Sequence, residues 1–118
     1  MKKRKLGIIG GSGLYKIEGF ENEKWKKVKT SWGEPSDKVF TATYHNEEIC
    51  FLPRHGRRHN LNPSKINFRA NIEALKRLGV TDIISVSAVG SLKEHLLPGS
   101  FVIVDQFIDR TFARIKTF

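Results

Sequence analysis

Cysteine is nearly absent from these 118 residues: Cys50 stands alone, so no disulfide can close within the chain and nothing points to an oxidising compartment. Long apolar runs are missing as well, and none approaches the roughly 20 residues that a membrane-spanning helix needs. Met1-Lys2-Lys3-Arg4-Lys5 leads into a short apolar stretch without the small-residue cleavage site of a secretory leader. Repeats and low-complexity segments are absent too. These absences leave a cytoplasmic enzyme or binding domain with no membrane partner as the expectation, on a chain long enough for one domain with a modest core.

The composition that remains, 39% hydrophobic and 28% charged, is too apolar for a disordered chain and ordinary for a globular one. A net charge of +9 raises nucleic acid as a partner. The cations are scattered, however, over the Lys2 to Lys5 tail, over Lys24, Lys26, Lys27 and Lys29, and over an arginine turn. A groove-reading surface gathers its charge on one face, so the expectation is no nucleic acid. The tail reads as a solvated start to the chain.

Leu6 to Ile9 reads as a short buried strand entering a glycine turn, and Glu23 to Thr30 as a weaker strand. Ser31 to Asp37 is loop by composition. Val39 to Tyr44 and Glu47 to Leu52, flanking His45-Asn46, predict a β-hairpin. Ser64 is an N-cap candidate for a helix with Phe68, Ile72 and Leu75 on one face, Lys76 and Arg77 near its end and Gly79 as its stop. Val80 to Val89 predicts a strand buried on both faces, which makes the helix part of a βαβ-like unit. Pro98-Gly99 turns the chain, and Phe101 to Val104 predicts one more strand. The fold class is therefore α/β. A sheet buried on both faces needs helices on both, and one is in sight. Either a partner subunit covers the gap or the chain is a piece of something longer.

In open α/β sheets, ligands collect beyond the carboxyl ends of the strands. Three strand ends here carry suitable chemistry. Gly10-Gly11-Ser12-Gly13 lets backbone amides approach an oxyanion, and Ser12 adds a hydroxyl. It is not the dinucleotide fingerprint, because Lys16 stands where a third glycine is required, and the P-loop ending is absent. Arg54-His55-Gly56 offers a planar, permanently charged fork beside an imidazole. Ser85 to Ser91 supplies small residues, the Ser87 hydroxyl and the amide that follows it. Taken singly, each is equally consistent with a ligand-free turn, a surface salt bridge or a satisfied histidine. Together the three suggest one anion.

"GIIGGSGLY", "PRHGRRHNLNPSKINFRANIEALKRLGV", "IISVSAVGSL" and "PGSFVIVDQFIDRT" resemble the purine nucleoside phosphorylases, in their methylthioadenosine phosphorylase branch. The likeness runs from about Lys5 to Thr111. It implies an α/β fold of the phosphorylase/hydrolase-like kind, a mixed sheet with flanking helices, of which residues 1–118 are the N-terminal part of a single domain, apparently truncated. It implies phosphorolysis of 5′-methylthioadenosine to adenine and 5-methylthioribose 1-phosphate, with inorganic phosphate as co-substrate, no cofactor and no metal. Carried over by position, Ser12, Arg54, His55, Ser87 and the backbone of Ala88 hold the phosphate, and His59 lies near the substrate without a definite role. The resemblance also implies a homo-oligomer, commonly a trimer.

Position 87 is threonine in some relatives, which keeps the hydroxyl. Family members run to more than twice this length. Their later half supplies a ribose-contacting methionine, a further phosphate-binding hydroxyl and the aspartates that meet the purine. Met1 is the one methionine here, and Asp105 and Asp109 match a structural segment. The 118 residues alone are expected to turn over little or nothing, and no catalytic residue is assigned. The alternatives are a phosphorylase for another purine nucleoside, such as methylthioinosine or guanosine, and a non-catalytic domain that binds phosphate or a partner.

Overall fold

A computed structural model describes residues 3–11 and 13–118. The chain divides into two units, Met1–Ser87 and Ala88–Phe118. The first holds all the regular structure: β1 (Leu6–Gly10), β2 (Glu21–Lys26), β3 (Val39–Tyr44), β4 (Glu47–Pro53), a 3-10 turn (Pro63–Lys65), α1 (Phe68–Arg77) and β5 (Asp82–Ser85). One mixed sheet runs in the order β2-β3-β4-β1-β5. β1 lies between β4 and β5 and is parallel to both, so β4, α1 and β5 form the expected βαβ unit around it.

The hairpin of β3 and β4 forms as its sequence requires. His45 and Asn46 both adopt positive φ, 46° and 65°, the backbone of a tight two-residue turn that matches strand twist. Alternation then divides the side chains between two faces. Val39, Cys50 and Leu52 pack with Ala74 and Leu75 of α1, while Phe40, Ala42 and Phe51 form a second cluster. Each fully buried residue of leucine size contributes about 1.5–3 kcal/mol. The second face is covered by side chains of a loop and of β2 rather than by a helix. Leu14, Tyr15, Phe20 and Trp25 pack there, with Tyr15 edge-on to Trp25 at 5.3 Å between ring centroids.

The helix departs from expectation at its start and on its inner face. Asn67, not Ser64, is the N-cap: its side chain accepts a hydrogen bond from the Ala70 N–H at 3.1 Å, while Ser64 sits in the preceding 3-10 turn. Phe68 is exposed, and Ala70, Asn71, Ala74 and Leu75 are the buried positions. The small alanines bring α1 close to the sheet, a reason a search for bulky apolar residues misses. Its end behaves as expected. Gly79 takes φ +82°, its N–H bonds to Lys76 O at 2.9 Å, and the Val80 N–H reaches back to Leu75 O at 3.1 Å, closing the helix in a Schellman motif.

Other expectations need correction. The second strand stops at Lys26, and Val28 enters the core from the loop beyond it. Lys5 is not a solvated tail residue: its Nζ lies 2.9 Å from Glu48 Oε1. The strand expected over 80–89 spans only Asp82–Ser85, and Ile83 and Ile84 are 42% and 51% exposed rather than buried on both faces. β5 is an edge strand, and the helix presses on residues of β3 and β4 instead.

In the second unit Pro98 and Gly99 do turn the chain, with Gly99 at φ +89° and the Ser100 N–H bonded to Leu97 O at 3.0 Å. Phe101 to Val104 forms no strand, and Phe101 and Ile103 are almost fully exposed. A strand exists only when a neighbour takes up its backbone donors and acceptors, and none does so there. No helix of the described residues is long and apolar enough to cross a membrane.

Candidate functional site

Parallel pairing puts the carboxyl ends of β4, β1 and β5 side by side. Gly10 is in register with Pro53, and Ile9 with Ser85. The pairing continues one step beyond the strands: the Arg54 N–H donates to Gly10 O at 3.0 Å, and the Val86 N–H to Ile9 O at 2.9 Å. Residues far apart in the chain therefore leave the sheet at one edge.

Arg54 uses that placement. Its Nη1 donates to the Ser87 hydroxyl at 2.7 Å, linking the turn after β4 to the segment after β5. Among the described residues Arg54 pairs with no carboxylate, so the surface salt bridge that was the plain alternative does not form. A half-buried guanidinium that meets a neutral hydroxyl retains its full charge toward an incoming anion.

His55, also half-buried, is fixed by a reciprocal pair of bonds to Leu61. Its Nδ1 lies 2.9 Å from Leu61 O, and the Leu61 N–H donates to His55 O at 3.3 Å. A carbonyl oxygen only accepts, so Nδ1 carries the proton and Nε2 is the nitrogen left to meet a ligand. Gly56 makes the turn possible. It sits at φ +75°, where a Cβ would stand 2.7 Å from Asn60 Oδ1. His59 is exposed, at φ +50°, with its ring near-parallel to that of His55 (14°) at 6.5 Å between centroids.

The other arginines of the turn behave differently. Arg57 forms a forked ion pair with Asp37 and lies over Trp25, its guanidinium carbon 4.1 Å from the ring centroid. Burial would raise the Asp37 pKa, but hydrogen bonds from the Arg57 side chain and from the Arg57 and Lys38 amides outweigh it and hold the carboxyl below its ordinary value. Arg58 is exposed and lines a recess of ≈ 370 Å³ with Ser36, Asp37, Arg57 and Asn60. One arginine is thus neutralised by the fold, one faces solvent, and one is held uncompensated at the strand ends.

Of the expected site residues, Arg54 and Ser87 meet at this edge, and His55 follows Arg54 in the same turn with its ring held on Leu61. Ser12 lies outside the described residues. Ala88 begins the second unit, where it is exposed and without regular structure. Sequence reading missed Asp37, which it placed in a loop by composition, and Asn71, a polar residue on the buried face of α1 that was itself the available signal.

The sequence profile of the Phosphorylase superfamily matches residues 5–118. The chain belongs to the phosphorylase superfamily. Within that superfamily it is 58% identical over 116 residues to the S-methyl-5′-thioadenosine phosphorylase of Cereibacter sphaeroides, covering 98% of this chain and 40% of that protein. It is 61% identical over 113 residues to the enzyme of the same name from Rhodospirillum rubrum, covering 96% and 38%. Among solved structures, apo methylthioadenosine phosphorylase from Schistosoma mansoni superposes with a TM-score of 0.89 at 45% identity, over 98% of this chain and 41% of that one. The adenine complex of the same enzyme superposes at 0.87. The phosphorylase-superfamily chain therefore spans about 40% of the length of these relatives.

Proposed function

We propose that this chain carries the phosphate-binding half of an S-methyl-5′-thioadenosine phosphorylase. The observation that carries the reading is the uncompensated Arg54 guanidinium, hydrogen-bonded to Ser87 where three parallel strands end. In this reading Arg54 supplies charge, His55 Nε2 shares a proton with a phosphate oxygen, the Ser87 and Ser12 hydroxyls donate hydrogen bonds, and the Ala88 amide adds a fixed dipole. His59 is assigned to the neighbourhood of the substrate, without a definite role. The names of the close relatives favour 5′-methylthioadenosine over other purine nucleosides.

The reaction asks two things of such a site. Phosphate must shed water before it can attack, which is tolerable only where charged and hydrogen-bonding groups replace its hydration. It must also sit beside the sugar as positive charge develops on the ring, where an adjacent anion stabilises the oxocarbenium-like state. A phosphate oxygen then forms its bond to C1′ as the C1′–N9 bond breaks. The electron pair of that bond leaves with adenine, which takes up a proton. Groups held rigidly before the reaction stabilise this charge without reorganising. The residues that receive the purine, and the assembly into a trimer that the resemblance implies, belong to the same proposal for the whole protein.

Titration calorimetry with inorganic phosphate tests the phosphate assignment directly. The parent is expected to bind saturably, and Arg54→Ala to lose at least about 10-fold in affinity, as expected for a hydrogen bond from a charged donor. Equal affinity in both removes Arg54 from the site.

A further inference from the structure

The Asp37 carboxylate receives three hydrogen bonds from one residue. The Arg57 backbone N–H donates at 2.8 Å, Nε at 3.0 Å and Nη2 at 3.0 Å. Asp37 is held in turn through its neighbour. The Ser36 N–H donates to Asn71 Oδ1 at 2.8 Å, and Asn71 Nδ2 donates to the Ser36 hydroxyl at 2.9 Å. Asn71 is 2% exposed on the inner face of α1. The turn itself presses on the same segment, since a Cβ on Gly56 would come within 3.2 Å of Ser36 O.

We infer that Asp37 and Arg57 form a positioning pair, seated on α1 through Ser36 and Asn71, that sets where the Arg54–His55 turn presents its donors. The inference rests on the phosphate reading above. The turn's own backbone bonds, Gly56 N–H to Pro53 O at 3.1 Å, His59 N–H to Gly56 O at 3.1 Å and Leu61 N–H to His55 O at 3.3 Å, close its loop, whereas the Arg57–Asp37 bonds tie that loop to the segment before β3. A planar fork fixes direction as well as distance, and the accompanying bond to the Arg57 amide ties the backbone, not only the side chain. The Trp25 ring beneath the guanidinium restricts it further. Arg57 acts through Arg54 and His55 and is not a phosphate ligand, because its Nε and Nη2 are engaged by Asp37.

The sign of one substitution separates positioning from simple charge. Asp37→Asn makes the surroundings of the turn more positive, so electrostatics alone predicts tighter phosphate binding. Positioning predicts the reverse, a loss on the order of 10-fold, as when a partner that orients a ligand-binding side chain is removed. Calorimetric titration of the full chain with inorganic phosphate reads this out. Arg57→Lys, which keeps the charge and discards the fork, is expected to weaken binding similarly and serves if Asp37→Asn does not fold. Arg58→Gln removes a cation without touching the pair and is expected to change affinity less than 2-fold. A lowered melting temperature would accompany either a structural or a positioning role, so it does not decide. Unchanged or tighter phosphate binding in a folded Asp37→Asn or Arg57→Lys protein overturns the inference. Should the parent fail to bind phosphate, the functional reading falls and ¹⁵N shifts of the His55 ring decide positioning: a shift in Asp37→Asn supports it, and identical spectra overturn it.

Discussion

Arg54 Nη1 and the Ser87 hydroxyl meet at 2.7 Å across 33 positions of sequence, joining the ends of two strands that never pair with each other. The strand between them, β1, makes this possible by pairing with both. Ser87→Ala removes the hydroxyl from that junction. Phosphate affinity is expected to fall about 10-fold, the worth of a hydrogen bond involving a charged group, while Ser87→Thr stays within about 3-fold. If calorimetry finds the threonine variant as weak as the alanine one, the hydroxyl is not what position 87 contributes.

Asp37 sets an acid limit on stability. Its carboxyl is held below the ordinary value in the folded protein, so the unfolded chain binds a proton first as pH falls. The stabilisation is thus fully present above the unfolded value, about 4, and is lost as pH drops through the folded one. Thermal melts of the parent and Asp37→Asn should differ at pH 6 and draw together as the pH falls below about 4. A constant difference across that range would show that the pair's worth does not come from ionised Asp37.

Cys50 reports on the core. It is wholly buried, and burial pushes its thiol above the ordinary value, two reasons for inertness toward thiol reagents. The native protein is expected to resist a disulfide-exchange reagent for hours and to react within minutes in denaturant. Rapid reaction without denaturant would mean that the packing of Val39, Leu52 and Leu75 around this strand opens readily.

The hairpin, β1, the helix stop at Gly79 and the cationic turn at Arg54 were all legible in the sequence, because each depends on neighbours a few residues away. Alternation sorts the faces of β3 and β4, and a glycine at positive φ ends a helix whatever lies beyond. The cap at Asn67 was misread for a related reason: two polar residues compete for the start of the helix, and the 3-10 turn at Pro63 decides between them.

By itself the sequence determined an α/β chain of this superfamily with cationic and hydroxylic groups at its strand ends, since residue type and short-range periodicity carry that information. Tertiary structure alone decided which arginine kept its charge. Arg54, Arg57 and Arg58 are chemically identical, and only the arrival of Asp37 and Trp25 from elsewhere in the chain neutralises one while Ser87 holds another uncompensated. Electrostatic roles are set by distance through space, and sequence spacing does not encode it.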